Sequence, residues 1–308
     1  MAHDAHFELV AEGIGFPEGP VWMLDGSVLV VEQRDCRLTR ITREGAIEPI
    51  ADIPGCPNGA AIGPDGACYI ANNGGMTVLT DADGHMTPTG DHGVKGGSID
   101  RVDLATGQVT KIYTECDGRK LRAPNDLVFD RDGGFWFTDV GTITDKSLDW
   151  GALFYARIDG SHIVQAHRGR NLIVPNGIGL SADEKTLYVA ETFSGRVWAY
   201  RIASPGVFAT NAMGYDRWPL GGLAHFEALD SLALDARGRV CVGALVRGGV
   251  ACFSDDGTTA IVDAPVTMIT NVCFGGADMQ DVWITAGASG RLYKGRWDCP
   301  GLRLNYYA

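Results

Sequence analysis

Short apolar runs of Val, Ile, Leu and aromatic residues alternate along the chain with Asp, Gly, Asn and Pro, and stretches of helical period are nearly absent. This punctuation predicts an all-β chain. Many evenly spaced strands are the usual mark of an internal repeat, and one template recurs six times. It reads PEGPVWMLDGSVLVVE from Pro17, PNGAAIGPDGACYIAN from Pro57, PNDLVFDRDGGFWFTD from Pro124, PNGIGLSADEKTLYVAE from Pro175, LDSLALDARGRVCVGA from Leu229 and TNVCFGGADMQDVWITA from Thr270. Each unit opens on a polar residue: Glu18, Asn58, Asn125, Asn176, Asp230 or Asn271. Seven residues on stands Asp25, Asp65, Asp132, Asp183 or Asp278, with Arg237 as the exception. Two strands about an Asp-Gly type turn follow from this pattern, because Gly supplies the positive φ of a tight hairpin.

The openers stand 40, 67, 51, 54 and 41 residues apart. That pitch leaves room for two further strands per unit, such as those of GSIDRVDLATGQVTKIYTE and RVWAYRIASPGVF. Six units of four strands predict a six-bladed β-propeller, read as a single domain over residues 1–308. A β-sandwich has no need of one template six times. Closure of the last blade is expected from pairing of FELVAEG, near the N-terminus, with the RLYKGRW region.

In a propeller the first strand of each blade lines the central channel, so the six openers converge at one mouth. Two carboxylates and four amides, without His or Cys, form an oxygen-rich cage. Hard cations take such ligands, which puts Ca²⁺ first, with Mg²⁺ and Mn²⁺ behind it. Glu32, Asn72, Asp139 and Glu191 end the second strands and are expected to flank the ring and orient ligands and substrate. Arg122, three residues before Asn125, is a candidate substrate contact, and Asn58 and Asn271 are expected to line the pocket without holding the ion. His225, five residues before Asp230, reads more readily as a surface residue.

Composition narrows the classes. The 308 residues carry 26 basic and 38 acidic side chains, net −12, which disfavours nucleic acid as a partner. With 45% hydrophobic residues the chain is globular in composition, and 42 glycines without a Gly-X-Y period mark turns. The start MAHDAHFELVAEG lacks the basic and apolar regions of a signal peptide, and no apolar run reaches the ~18 residues of a membrane helix. Eight cysteines without a C-x-x-C pair fit a reducing, cytoplasmic compartment. No G-x-S-x-G, H-E-x-x-H, P-loop or G-x-G-x-x-G motif is present.

FPEGPVW, LRAPNDLVFDRDGGFWFTD, VPNGIGLSADEKTLYVAET, LDSLALDARGRVCVG and TNVCFGGADMQDVWITA, in register and in order, resemble the senescence marker protein, regucalcin and gluconolactonase family of calcium-dependent six-bladed propellers. The resemblance implies one divalent ion bound by Glu18, Asn176 and Asp230, with Asn125 as a further ligand or substrate contact. Ca²⁺ is the first expectation, with Mg²⁺, Mn²⁺, Zn²⁺ and Fe²⁺ as alternatives. The same four-residue ring is similar to that of diisopropyl fluorophosphatase and of a bacterial lactonase linked to drug response. One departure is plain: family sugar lactonases often carry Arg two residues before the third opener, where this chain has Ala123. The expected activity is metal-dependent opening of a lactone, a small sugar-acid lactone first, with Asp230 as general base on the attacking water. The alternatives are phosphotriester or aryl-ester hydrolysis at the same site and a non-enzymatic calcium-binding propeller. Oligomeric state is left open.

Overall fold

The computed structural model describes residues 5–89, 95–167 and 172–307. Among these residues every regular element is a strand. The six templates form six antiparallel sheets, blades 1 to 6, and each template supplies an innermost strand and the next strand out. The innermost strands are Pro17–Trp22, Pro57–Ile62, Pro124–Phe129, Pro175–Leu180, Leu229–Leu234 and Ile269–Gly275. Each packs against the next, and the sixth returns to the first, so the ring is closed. The fold is a six-bladed β-propeller.

The expected clasp is present. Glu8–Glu12 adds the outer strand of blade 6, pairing Glu8 with Lys294 and Glu12 with Arg291. The terminal segment and the last template thus share one sheet, which removes the exposed edge of an open ring.

Two features depart from the even repeat. The wide spacing between Asn58 and Asn125 holds an inserted hairpin, Thr77–Thr80 with Met86–Thr89, between the second and third strands of blade 2. Met86 donates its backbone N–H to Ala288 O, and Arg34 Nη1 lies 3.5 Å from its sulfur, so the hairpin reaches across blade 1 to blade 6. The second departure corrects the sequence reading of RVWAYRIASPGVF. Its end, Val207–Phe208, is only a side strand on Ile202–Ser204. The fourth strand of blade 4 is Arg217–Gly222, despite Pro219. Pro219 sits on the blade's outer edge, where a missing N–H costs no ladder bond.

The core lies between blades. Each gap holds its own apolar cluster, such as Val128, Trp136 and Tyr155 of blade 3 against Ile178, Leu187 and Val189 of blade 4. Inner strands are therefore buried on both faces, and VLVV and FWFT are continuous apolar runs instead of alternating ones.

Candidate metal centre at the channel mouth

Every innermost strand carries a register shift just after it begins. The ladder breaks between Glu18 and Val21, Pro57 and Ala60, Pro124 and Leu127, Pro175 and Ile178, Leu229 and Leu232, and Ile269 and Asn271. A bulge frees the local backbone from pairing and re-aims its side chain. All six openers lie at or beside these bulges, at one end of the channel. Phe16 and Val174, two residues before Glu18 and Asn176, take positive φ of 57° and 53°. For a β-branched valine this is a strained conformation, of the kind found next to functional positions.

Backbone crowding near the axis explains the glycine after three of the six openers, Gly19, Gly59 and Gly177. A Cβ on Gly59 would come within 2.6 Å of Asp126 Cα, and one on Gly177 within 2.6 Å of Leu232 N. In blade 3 that template position is not glycine but Asp126.

The resulting mouth is buried and acidic. Glu18, Asn125, Asn176 and Asp230 are each exposed by 7% or less. Burial, with the Asp230 charge next, pushes the Glu18 carboxyl well above the usual carboxylate range. Burial also pushes Asp230 up to about 8, with Asp126 adding to the rise, and Asp126 itself up to about 7. Among the described residues no Lys or Arg forms an ion pair with any of the three. Asn271 Nδ2 donates to Glu18 Oε2 at 3.0 Å, Asn176 Nδ2 to Thr192 Oγ1 and Ser231 Oγ to Asn176 Oδ1, both at 3.3 Å. The carbonyl oxygens of Asn58 and Asn125 are buried without a hydrogen-bond partner. Orphaned amide oxygens beside three desolvated carboxylates form an oxygen-only donor set with a deficit of positive charge. These residues fit a hard divalent cation.

Asp126 was not among the site residues expected from sequence. Its signal was available: the third template position reads Gly19, Gly59, Asp126, Gly177, Ser231 and Val272, and only one of these is ionisable. Its N–H donates to Thr138 Oγ1 at 3.1 Å, and its own Oδ1 accepts from Leu127 N at 2.9 Å.

The four strand-end residues turn to the backbone of the loops that lead into the openers. Glu32 accepts from Gly15 N at 2.7 Å, Asn72 from Cys56 N at 2.9 Å and Glu191 from Ile173 N at 2.6 Å. Asp139 accepts from Arg122 N at 2.8 Å and from Ala123 and Gly141 N at 2.9 Å. In blade 5 the arrangement inverts: Glu227, in the lead-in loop, accepts from Val246 N and Arg247 N beyond the second strand. The Arg122 side chain is exposed at the mouth, and His225 is exposed on the loop before Asp230. All eight cysteines are free thiols.

Two other places hold grouped acidic side chains or an internal cavity. Asp235, Asp298 and Cys299 cluster at the opposite end of the channel, but guanidinium groups fill that charge. Arg239 Nε lies 2.5 Å from Asp235 Oδ2, and Arg237 Nη1 lies 2.6 Å from Asp298 Oδ2. A cavity of about 140 Å³ runs through the channel below the ring, lined by Leu127, Ile178, Leu232 and Val272 and closed by residues 302–307. Its middle is apolar, and its polar lining is at the ends, Asp126 and Asn271 at the ring and Ser181, Glu184 and Asn305 at the far side.

Comparison with known proteins agrees with the architecture. The profile of the SMP-30/gluconolactonase/LRE-like region matches residues 16–288. A gluconolactonase of Zymomonas mobilis is 26% identical over 301 residues, covering 87% of this chain and 75% of the relative. Lactonase drp35 of Staphylococcus epidermidis is 33% identical over 256 residues, covering 81% and 67%. A solved gluconolactonase of Xanthomonas campestris superposes with a TM-score of 0.75 at 23% identity, covering 96% and 90%.

Proposed function

We propose that this chain, which belongs to the SMP-30/gluconolactonase/LRE-like family, hydrolyses lactones at the channel mouth with one divalent ion, Ca²⁺ first. The observation that carries this reading is the oxygen-only cage of Glu18, Asn125, Asn176 and Asp230, in which buried carboxylates and an orphaned amide oxygen lack a cation partner. The gluconolactonase and lactonase relatives support the substrate class. A bound divalent ion supplies Lewis acidity toward the lactone carbonyl and offsets the repulsion between Glu18 and Asp230.

The chain's own groups do the rest. Glu18, Asn176 and Asp230 hold the ion, and Asn125 holds it or the substrate carbonyl. Asp230 accepts the proton of the attacking water and returns it to the ring oxygen as the acyl C–O bond breaks, giving a hydroxy acid. The amides of Asn58 and Asn271 and the Arg122 guanidinium offer hydrogen bonds to ring hydroxyls, which suits a sugar-acid lactone head. Eight free thiols support a reducing, cytoplasmic setting, and among the described residues no helix is long and apolar enough to cross a membrane.

The test is turnover of a panel of lactones, a phosphotriester and an aryl ester, each with Ca²⁺ and with chelator. Lactone hydrolysis that chelator abolishes and Ca²⁺ restores is the expected result. Turnover that survives chelation removes the metal role, and calcium binding without any turnover leaves a non-enzymatic propeller.

A further inference from the structure

Above the polar ring the mouth is lined unevenly. Trp150, Phe193, Phe226 and Val246 are 50, 51, 73 and 51% exposed. All four sit on loops at the inner ends of blades 3, 4 and 5, the blades that contribute Asn125, Asn176 and Asp230. Trp150 precedes Gly151, which lies against Pro175, the neighbour of Asn176. Phe193 follows Thr192, the acceptor of the Asn176 amide at 3.3 Å. Phe226 precedes Glu227, whose carboxylate takes the N–H of Val246 at 2.7 Å, so the last two loops are stitched together. The loops over blade 1, over blade 2 and into blade 3 present exposed Arg34, Lys95 and Arg122.

We propose that the mouth selects lactones bearing an apolar arm, an alkyl or aryl substituent on the lactone ring, which lies along Trp150, Phe193, Phe226 and Val246 while the lactone head enters the polar ring. The proposal rests on the lactonase reading and deepens it. A bare sugar lactone fills the ring and leaves these side chains in water. Isolated exposed apolar residues need no explanation, but four on the mouth loops of three consecutive blades, each next in sequence to or hydrogen-bonded with a residue that braces the ring or its loops, mark a binding surface. The crescent these four form joins the ring through Thr192 and Pro175, which favours the substrate's own arm over a protein partner as its occupant.

The experiment compares δ-valerolactone, its 5-alkyl homologues up to δ-nonanolactone and δ-gluconolactone in Ca²⁺ buffer. Each methylene taken out of water is worth about fourfold, so kcat/KM rises steeply over the first few carbons, mainly through KM. In the triple variant Trp150→Ser, Phe193→Ser, Phe226→Ser the ratio of kcat/KM for δ-nonanolactone over δ-valerolactone falls at least about tenfold. All three side chains are exposed, and the variant's thermal transition checks that it folds. Turnover that is flat with chain length, or a ratio unchanged in the variant, overturns the proposal while the lactonase reading stands. A variant that changes only the molecular mass in solution assigns the crescent to contacts between copies and also overturns it. If no lactone turns over, the lactonase reading fails; binding of 5-hydroxynonanoate against 5-hydroxypentanoate then decides the crescent alone, and equal affinities sink it.

Discussion

Asp139→Ala tests whether the mouth is held by side chains that never touch the ion. Asp139 is 4% exposed and accepts three backbone N–H groups, those of Arg122, Ala123 and Gly141. Alanine leaves these donors without an acceptor. A buried unsatisfied donor costs about 1–3 kcal/mol. Ala123 is fully buried and Gly141 buried, whereas the N–H of exposed Arg122 has water within reach, so two donors count in full. That gives about 2–6 kcal/mol. Burial raises the Asp139 carboxyl above its ordinary range, so the carboxylate itself destabilises the fold, and its removal returns part of the loss. The expected net loss is about 2–4 kcal/mol in urea unfolding, with an unchanged m-value. The loop that is freed carries Asn125 two residues later, so the Ca²⁺ dissociation constant should rise by roughly 10–100-fold, as for other outer residues of metal sites. Asp139→Asn keeps one acceptor oxygen and should fall between parent and alanine. Asp145→Ala, at an exposed position, should stay within about 0.5 kcal/mol of the parent. If Asp139→Ala matches that control in both stability and Ca²⁺ affinity, the backbone clamp has no energetic role and the argument fails.

Two further outcomes follow from the buried carboxylates. In chelator the folded chain holds protons on Asp230 up to about pH 8 and on Asp126 up to about pH 7, whereas the unfolded chain releases them near pH 4. The folded state therefore binds more protons in that window, and stability falls as pH rises from about 4 to about 8. Melting curves in chelator should drop between pH 5 and pH 8 and flatten when Ca²⁺ is added; a rise over that range in chelator would contradict the assignment. Asp230→Asn should keep weakened Ca²⁺ binding and lose about 10²–10⁴-fold in kcat, while its metal-free form melts higher than the parent at pH 8 because a buried charge is gone. Lactone turnover near the parental rate with metal bound would pass the proton-accepting role to another group.

The repeat was legible because the turn and the apolar runs are local. An Asp-Gly hairpin and two buried strands write themselves into sixteen residues, and six copies in order leave little choice of fold. The terminal clasp was legible for the same reason, as an unmatched strand beside an unmatched sheet edge. What escaped depends on contacts between blades. Asp126 stands where other templates carry Gly, Ser or Val, and only the packing of the blade 2 inner strand, so close that a Cβ on Gly59 would come within 2.6 Å of Asp126 Cα, sets its carboxyl in reach of the charges of Glu18 and Asp230. Glu32 and Glu191 read from the sequence as residues flanking the ring; that they accept the backbone N–H groups of Gly15 and Ile173 depends on where the lead-in loops run. Val207–Phe208 looked like the fourth strand of blade 4 because it is apolar and near, whereas Arg217–Gly222 carries Pro and two glycines and is recognisable only at an outer edge.

Blade 5 shows why the clamps exist. Its second strand ends at Ala244, which has no side-chain acceptor, and the carboxylate appears instead at Glu227, in the loop that leads into the first strand. The acceptor has changed sides, yet it still bridges the lead-in loop and the loop beyond the second strand. Backbone geometry at the mouth explains this persistence. A bulge beside each opener interrupts the strand ladder where the chain must also crowd toward the axis. The lead-in loops just before these bulges have no ladder partner, and their buried N–H groups, such as those of Gly15, Cys56 and Ala123, need an acceptor. Asp139 and Glu227 each accept three backbone N–H groups, Glu32 and Glu191 one, and each locks its loop without drawing on the opener. Openers can then stay polar and face one another in a low-dielectric mouth, an arrangement that would otherwise relax by moving the chain apart. The carboxylates that clamp and those that converge are thus parts of one device: the former fix the backbone against the repulsion among Glu18, Asp126 and Asp230, which under the proposed function a bound cation would offset.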